Sequence, residues 1–379
     1  MSSPSTAPKP ASHPAFRLQE GGLLVVILLL GLLLTIFGGT VKRAEFQKNA
    51  AGETERVMVE KNKFLNARNL TNLAKDTSFI AIMAVGMTFV IVSGGIDLSV
   101  GAIYALASVF GALVFHGYGP ESPAAASGGI GAVLGALACI GVATFCGLLN
   151  GGMIVALRVH PFIITLGMMA ILRGVAFVLT QGQSIGSFPA AFRDLVANPT
   201  LPGSEGRVPL AAGGVSVVPT MLMLLVTVLG GTYLSRMAGG RRIYAVGGNE
   251  LASRYSGVRV GFVKLGVYLI SGLTAGIAAL LALGYYGSAS SGDGQGYELN
   301  VIAAAVVGGA SLSGGKGSAL GALLGALVIQ MINTGIVILG INQNYSQIIV
   351  GAVVILAVVL DQFNSWLAKR RLVARTGAS

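Results

Sequence analysis

The sequence predicts an all-α fold, a polytopic membrane protein of about ten transmembrane helices with both termini in the cytoplasm. Three observations carry this. Of 379 residues, 54% are hydrophobic and only 10% are charged, where a soluble domain holds roughly 25% charged residues. The mean hydropathy is +0.78, too apolar for a globule that must cover its surface with polar atoms. Glycine fills 56 positions, about twice the usual share of ~7%, which implies helices packed closely through small residues.

The elements follow in chain order. Residues 1–20, rich in Ser, Pro and Ala, read as a disordered cytoplasmic tail. The run 21–40 is a first span rather than a signal peptide, because its apolar stretch is long and its Phe37-Gly38-Gly39-Thr40 end lacks an Ala-x-Ala cleavage pattern. Residues 41–73 are charged and read as an external loop. Further apolar runs lie at 74–93, 97–116, 128–157, 161–180, 214–235, 262–284, 298–311, 318–340 and 345–363, so the transmembrane domain covers 21–363. Two are unusual: 128–157 is long enough to tilt or break, and 298–311 is too short to cross unaided. A basic tail, 364–379, closes the chain.

The positive-inside rule orients these spans. With cytoplasmic termini, the inner side holds fourteen basic residues, among them Arg158, Arg236, Arg241, Arg242, Arg254, Arg259, Lys264 and Lys316. The outer segment 41–76 breaks the rule with eight, from Lys42 to Lys75, offset by Glu45, Glu53, Glu55, Glu60 and Asp76. A net charge of +11 placed in short segments between spans is an orientation signal, and nucleic-acid binding is set aside. The lipid membrane is the partner that composition implies.

The strongest chemical anomaly is Ser93-Gly94-Gly95-Ile96-Asp97-Leu98-Ser99 between two apolar runs. A carboxylate at membrane depth costs ~2.5–3.5 kcal/mol on insertion scales, so Asp97 must face protein or water. Paired glycines permit a broken helix of the kind that lines a central cavity, which makes Gly94, Gly95, Asp97 and Ser99 candidates for a translocation path. Asp97 as the N-cap of the next helix is the alternative, and both can hold. The phrase Gly-Gly-x-[Asp/Ser]-Leu-Ser recurs at Gly308-Gly309-Ala310-Ser311-Leu312-Ser313, a weak hint of an internal repeat.

Other polar residues within or beside apolar runs are Asn150, Arg173, Glu298 and Asn333. Arg173 is the costliest and needs an acid or several carbonyls; Asp97 and Glu298 are the acids at comparable depth. For Asn150 and Asn333, interhelical hydrogen bonding competes with contact to a solute. Gly314-Gly315-Lys316-Gly317-Ser318 departs from the phosphate-loop pattern at two positions, Ala310 and Gly317. No nucleotide-binding motif exists, so the chain is not itself an ATPase, and Lys316 reads as a turn charge. Gly317, Gly321 and Gly325 recur every four residues as a close-packing face.

The long inner loop, 236–261, contains a short helix that starts at the N-cap Asn249 and stops near Gly257, exposing Leu251 and Tyr255 on one face. Such a helix outside the membrane is a docking knob for a cytoplasmic partner, or else a solvated connector. Cys139 and Cys146 read as packing residues. His13, His116 and His160 are scattered singly, so no metal site is proposed.

From about Phe64 to Leu360 the chain resembles the permease subunits of bacterial sugar ABC importers of the ribose, galactose and xylose class. The resemblance rests on Ala84 to Ile91 leading into Gly94 to Gly101, on Leu172-Arg173-Gly174-Val175, on Tyr244 to Glu250, on Gly296-Tyr297-Glu298-Leu299 and on Gly308 to Gly317. It implies an inner-membrane, ten-helix permease that binds no cofactor and moves a pentose or hexose by alternating access. It implies as partners a second permease copy, a cytoplasmic ATPase that uses ATP and Mg, and a soluble sugar-binding protein outside. It also implies that Gly248, Asn249, Glu250, Leu251, Ala252 and Ser253, with Tyr255, form the ATPase-coupling loop. Lys42 to Lys61 departs from the family as an insertion, and 181–214 as a longer loop, both on the binding-protein side. Two other readings stay open: a branched-chain amino-acid ABC permease, whose charged cargo would suit the membrane acids and Arg173, and a proton-coupled carrier using Asp97 or Glu298.

Overall fold

The computed structural model describes residues 18–48, 54–199, 211–212, 215–353, 355, 356 and 359. Residues 1–17 and 364–379, which hold nearly all of the expected tails, and Arg207 lie outside them. Twelve helices and two small hairpins are described: α1 (Leu18–Phe37), β1 (Thr40–Lys48), β2 (Thr54–Asn62), α2 (Ala67–Val92), α3 (Val100–Gly117), α4 (Gly128–Leu157), α5 (Pro161–Thr180), α6 (Ala190–Val196), β3 (Ala211–Ala212), β4 (Val215–Ser216), α7 (Val218–Arg236), α8 (Ala238–Gly248), α9 (Glu250–Tyr255), α10 (Val260–Tyr286), α11 (Tyr297–Val307) and α12 (Ala319–Ile338). A further helical stretch begins at 346 and is described to 353.

Eight helices, α1 to α5, α7, α10 and α12, are long and apolar enough to cross a membrane among the described residues. The run at 128–157 neither breaks nor bends into two elements. It is one helix of 30 residues, and at 1.5 Å per residue its ~45 Å accommodates a ~30 Å hydrocarbon layer by tilting. The short run is α11, with only 11 residues. At ~16 Å it reaches half-way across.

Helix α2 forms the centre, buried on all faces from Thr77 to Val92, and packs against α10, α12 and α7. Helix α10 packs in turn on α4 and α3, approaching α4 so closely that a Cβ on Gly147 or Gly272 would sit 3.0 Å from the other residue's Cα. Small residues thus replace hydrophobic driving force with backbone contact. The outward faces of α1, α5 and α7 expose Leu, Val, Ile and Phe, as lipid-facing helices do.

Four features differ from the expectation. The segment 41–73 is not a plain loop: β1 and β2 pair in antiparallel register, Thr40 opposite Asn62 and Lys48 opposite Thr54, and α2 already starts at Ala67. The chain is helical from Leu18, inside the expected tail, because Glu20 is buried and accepts a hydrogen bond from Ser318 Oγ at 2.8 Å. That contact puts the starts of α1 and α12 at one level. The loop after α5 carries α6, whose Phe192 stacks on Phe115 with ring centroids 4.1 Å apart. Finally, Gly317 precedes α12 instead of lying on it, while Gly321 and Gly325 do face the backbone of α11 at Gly308 and Ala304.

Candidate functional site

The break between α2 and α3 begins as a helix stop. Gly94 takes φ +82°, its N–H reaches Ile91 O at 2.9 Å, and the Gly95 N–H reaches Val90 O at 3.0 Å. This is a Schellman ending, which needs a left-handed residue after the cap. The end of α11 repeats it one residue out of the register that the recurring phrase suggests. Gly309 takes φ +95°, bonding Val306 O, while Ala310 bonds Ala305 O. Gly94 therefore corresponds to Gly309, and Asp97 has no counterpart in Ser311.

Asp97 is fully buried. One oxygen accepts from the Ser99 N–H at 3.0 Å and from Ser99 Oγ at 2.6 Å; the other accepts from Ser271 Oγ at 2.9 Å. Asn150 Nδ2 donates to Ser99 Oγ at 2.7 Å. The carboxylate thereby ties the start of α3 to α10, and the Ser99 hydroxyl ties both to α4. The N-cap position itself belongs to Ser99, not Asp97: the turn at 97–99 places the acid two residues earlier, where it takes up the Ser99 N–H. Among the described residues no basic side chain pairs with Asp97.

Arg173 solves its burial with carbonyls, not with an acid. Its Nη1 donates to Ser291 O at 2.9 Å and to Asp293 O at 2.6 Å, and neither Asp97 nor Glu298 forms an ion pair with it. A guanidinium with five donors suits this double contact. It pins the loop 287–296, which leads from α10 back into the molecule and delivers the start of α11.

Glu298 sits in the first turn of α11, favourably placed in the field of the helix N-terminus. Its Oε2 is buried, has no hydrogen-bond partner among the described residues, and lies against Gly101. A Cβ at Gly101 would collide with that oxygen and sit 2.6 Å from Gly294 O. Two helix starts, those of α3 and α11, thus meet through a glycine.

Beside Glu298 opens a cavity of about 640 Å³. Its wall holds six carboxamides, Gln295, Asn300, Gln330, Asn333, Gln343 and Gln347, with Tyr286 and Tyr297, Phe79 and two acids, Glu298 and Asp76. Among the described residues no Lys, Arg or His lines it, and the neighbouring Lys75 is paired with Asp76 at 2.8 Å. Asn333 Oδ1 accepts from Ser346 Oγ at 2.7 Å, fixing α12 against the helical stretch at 346–353. Of the sequence candidates, Glu298 and Asn333 face this cavity. Asp97, Ser99 and Asn150 form the buried cluster; Gly94 and Gly95 end α2; Arg173 braces the re-entrant loop. The carboxamides other than Asn333 carry only a local signal in the sequence: Gln330 and Asn333 at i,i+3 share a face of α12.

On the opposite side, α8 and α9 form an angled pair. Asn249 Oδ1 accepts from the Ala252 N–H at 2.9 Å as N-cap of α9, and Gly257 ends the segment at φ +80°. Ser253 is buried, whereas Gly248 and Ala252 are exposed. Leu251 is 61% and Tyr255 83% exposed, two large apolar side chains with no cover. Glu250 anchors the helix through Lys264 Nζ at 2.8 Å and Arg254 at 3.5 Å. Helix α8 has no sequence forecast behind it, yet Ile243 and Val246 are buried. Behind it three turns converge: the Gly315 N–H bonds Val92 O at 2.8 Å, Tyr244 OH bonds Gly317 O at 2.7 Å, and Gly247 has no room for a Cβ between Val92 O and Gly315.

Residues 69–358 match the family described as branched-chain amino acid transport system / permease component. The chain belongs to this permease family. It is accordingly a multi-pass inner-membrane protein and a component of a transport system rather than an enzyme. The chain is 38% identical to the ribose import permease protein RbsC of Escherichia coli (strain K12) over 300 residues, covering 79% of this chain and 87% of that one. It is 36% identical to the D-allose transport system permease protein AlsC of the same strain over 305 residues, 80% and 86% of the two chains. With the fructose import permease protein FrcC of Rhizobium meliloti it shares 32% over 309 residues, 81% and 80%. Strands β1 and β2 precede the residues that match the family.

Proposed function

We propose that this permease is the membrane subunit of an ATP-driven importer that carries a monosaccharide, a pentose or hexose, across the inner membrane. The observation that carries the reading is the cavity wall beside Glu298. Each carboxamide offers donors and an acceptor, as each sugar hydroxyl does, and the Tyr286 and Tyr297 rings supply flat apolar faces. A branched-chain amino acid would bring a carboxylate to a wall where Asp76 already takes up the neighbouring Lys75 at 2.8 Å and where, among the described residues, Glu298 lines the cavity and no cation does, a charge that such a site disfavours. The ribose, allose and fructose permeases among its relatives support the same cargo class.

Two copies of the chain, facing each other, complete the path. ATP with Mg is bound and hydrolysed by a partner subunit seated on α9, with Leu251 and Tyr255 as the knobs, and both termini lie on that cytoplasmic side. Hydrolysis moves α9, the movement reaches the ends of α2 and α11, and the cavity opens alternately to either face. A soluble binding protein docks on the other side and sets most of the specificity, because a moderate affinity in the path allows release.

The test is reconstitution of the affinity-purified assembly in vesicles with the co-purifying ATPase and binding protein. Labelled pentoses and hexoses taken up only with ATP, and not displaced by leucine, are the expected result. Leucine uptake, or uptake that follows a proton gradient without ATP, overturns the proposal.

A further inference from the structure

A second cavity of about 600 Å³ lies on the α8–α9 side, between α7, α8 and the start of α10, and has no part in the path described above. Its rim carries two guanidiniums, Arg242 of α8 and Arg259 at the start of α10, together with Ser256 and the backbone of Gly257 and Val258. Both arginines are exposed, and among the described residues neither pairs with a carboxylate. The nearby acid, Glu250, is already engaged by Lys264 and Arg254. Arg259 rests on the Phe262 ring at 5.4 Å.

The floor has the opposite character. Val263, Gly266 and Ile270 recur along one face of α10, so the cavity climbs from the charged rim for about 16 Å along the helix axis, at 1.5 Å per residue, into apolar surroundings. A free anion would use only the rim. A protein loop would have to push apolar residues into the groove between α7 and α10. A molecule with an anionic head and a hydrocarbon tail matches both ends, as basic pockets between membrane helices commonly do.

We propose that this cavity is a binding site for one anionic phospholipid, its phosphate held between Arg242 and Arg259 and an acyl chain lying along Val263, Gly266 and Ile270. Because Ser256, Gly257 and Val258 form part of the rim, the bound lipid braces the segment that carries α9.

The experiment is native mass spectrometry of the detergent-solubilised permease assembly with added phosphatidylglycerol, phosphatidylcholine or inorganic phosphate. One phosphatidylglycerol per chain is expected to bind at least tenfold more tightly than phosphatidylcholine. The double variant Arg242→Gln/Arg259→Gln is expected to lose at least tenfold. Gly266→Leu tests the tail alone: no atom lies within 4 Å of a Cβ at Gly266, so the side chain fills the floor while both charges remain. Its expected effect is a loss of similar size. Arg158→Gln removes an exposed charge away from this cavity and should stay within twofold. Equal retention of phosphatidylcholine, unchanged binding in Gly266→Leu, or competition by inorganic phosphate at the affinity of the lipid would each overturn the proposal. So would a photoreactive group at position 242 that cross-links the ATPase subunit instead of lipid.

Discussion

Asp97 decides between two roles for a buried carboxylate, and two substitutions separate them. Asp97→Ala removes three hydrogen-bond acceptances, from the Ser99 N–H, Ser99 Oγ and Ser271 Oγ. At roughly 1 kcal/mol per bond, with a further penalty for buried donors left unpaired, the loss is about 3–5 kcal/mol. Asp97→Asn keeps an acceptor oxygen for Ser99 and turns an amide N–H toward Ser271, so the cluster survives with a loss below about 1.5 kcal/mol. The assay is denaturation of the purified protein in detergent beside ATP-dependent uptake in vesicles. The Asn variant should melt near the unaltered protein and keep most of its transport; the Ala variant should fall in both. An Asn variant that melts normally but does not transport would refute the reasoning, since the charge itself would then serve the path. An Ala variant as stable as the parent would show that the cluster ties nothing together.

Gly101→Ala places a methyl group against Glu298 and Gly294 O, an overpacking worth about 1–3 kcal/mol; a lowered melting temperature with altered uptake is expected, and an unchanged protein would contradict the contact. Asn333→Ala and Gln330→Ala, one at a time, should raise the half-saturating concentration of sugar for ATPase stimulation roughly tenfold, as loss of one hydrogen bond to cargo does. Tyr255→Ala with Leu251→Ser should weaken ATPase association by tenfold or more, the scale of exposed interface anchors, without changing the melting temperature of the isolated permease. Co-purification yields measure it.

The spans were legible because membrane insertion imposes one rule on every segment: about twenty apolar residues, with backbone groups satisfied internally. Pro161–Thr180 and Gly128–Leu157 coincide with the apolar runs to the residue. The short run at 298–311 announced its own failure to cross. What eluded the sequence depends on tertiary support. Gly239, Gly240, Gly247 and Gly248 argue for a loop, yet α8 forms with Ile243 and Val246 buried and packs on α7, α2 and α10. The charged segment 41–73 reads as an external loop, whereas Thr40–Lys48 and Thr54–Asn62 satisfy each other's backbone as a hairpin. In the site, Asp97, Ser99 and Asn150 were each visible, but that they hold one another is a matter of three-dimensional proximity. The carboxamides of the cavity come from three separate segments, and no spacing in the chain unites them.

The junction of Val92, Gly247 and Gly315 has a mechanical consequence. The α8–α9 segment, the end of α2 and the turn after α11 touch through peptide groups at Gly247, Val92 and Gly315, where no long side chain stands between to bend or change rotamer. Such a joint has little slack. A displacement of the α8–α9 segment would arrive at both turns together and nearly undiminished, so the two turns behave as parts on one crank, and moving one without the other would require the joint to come apart.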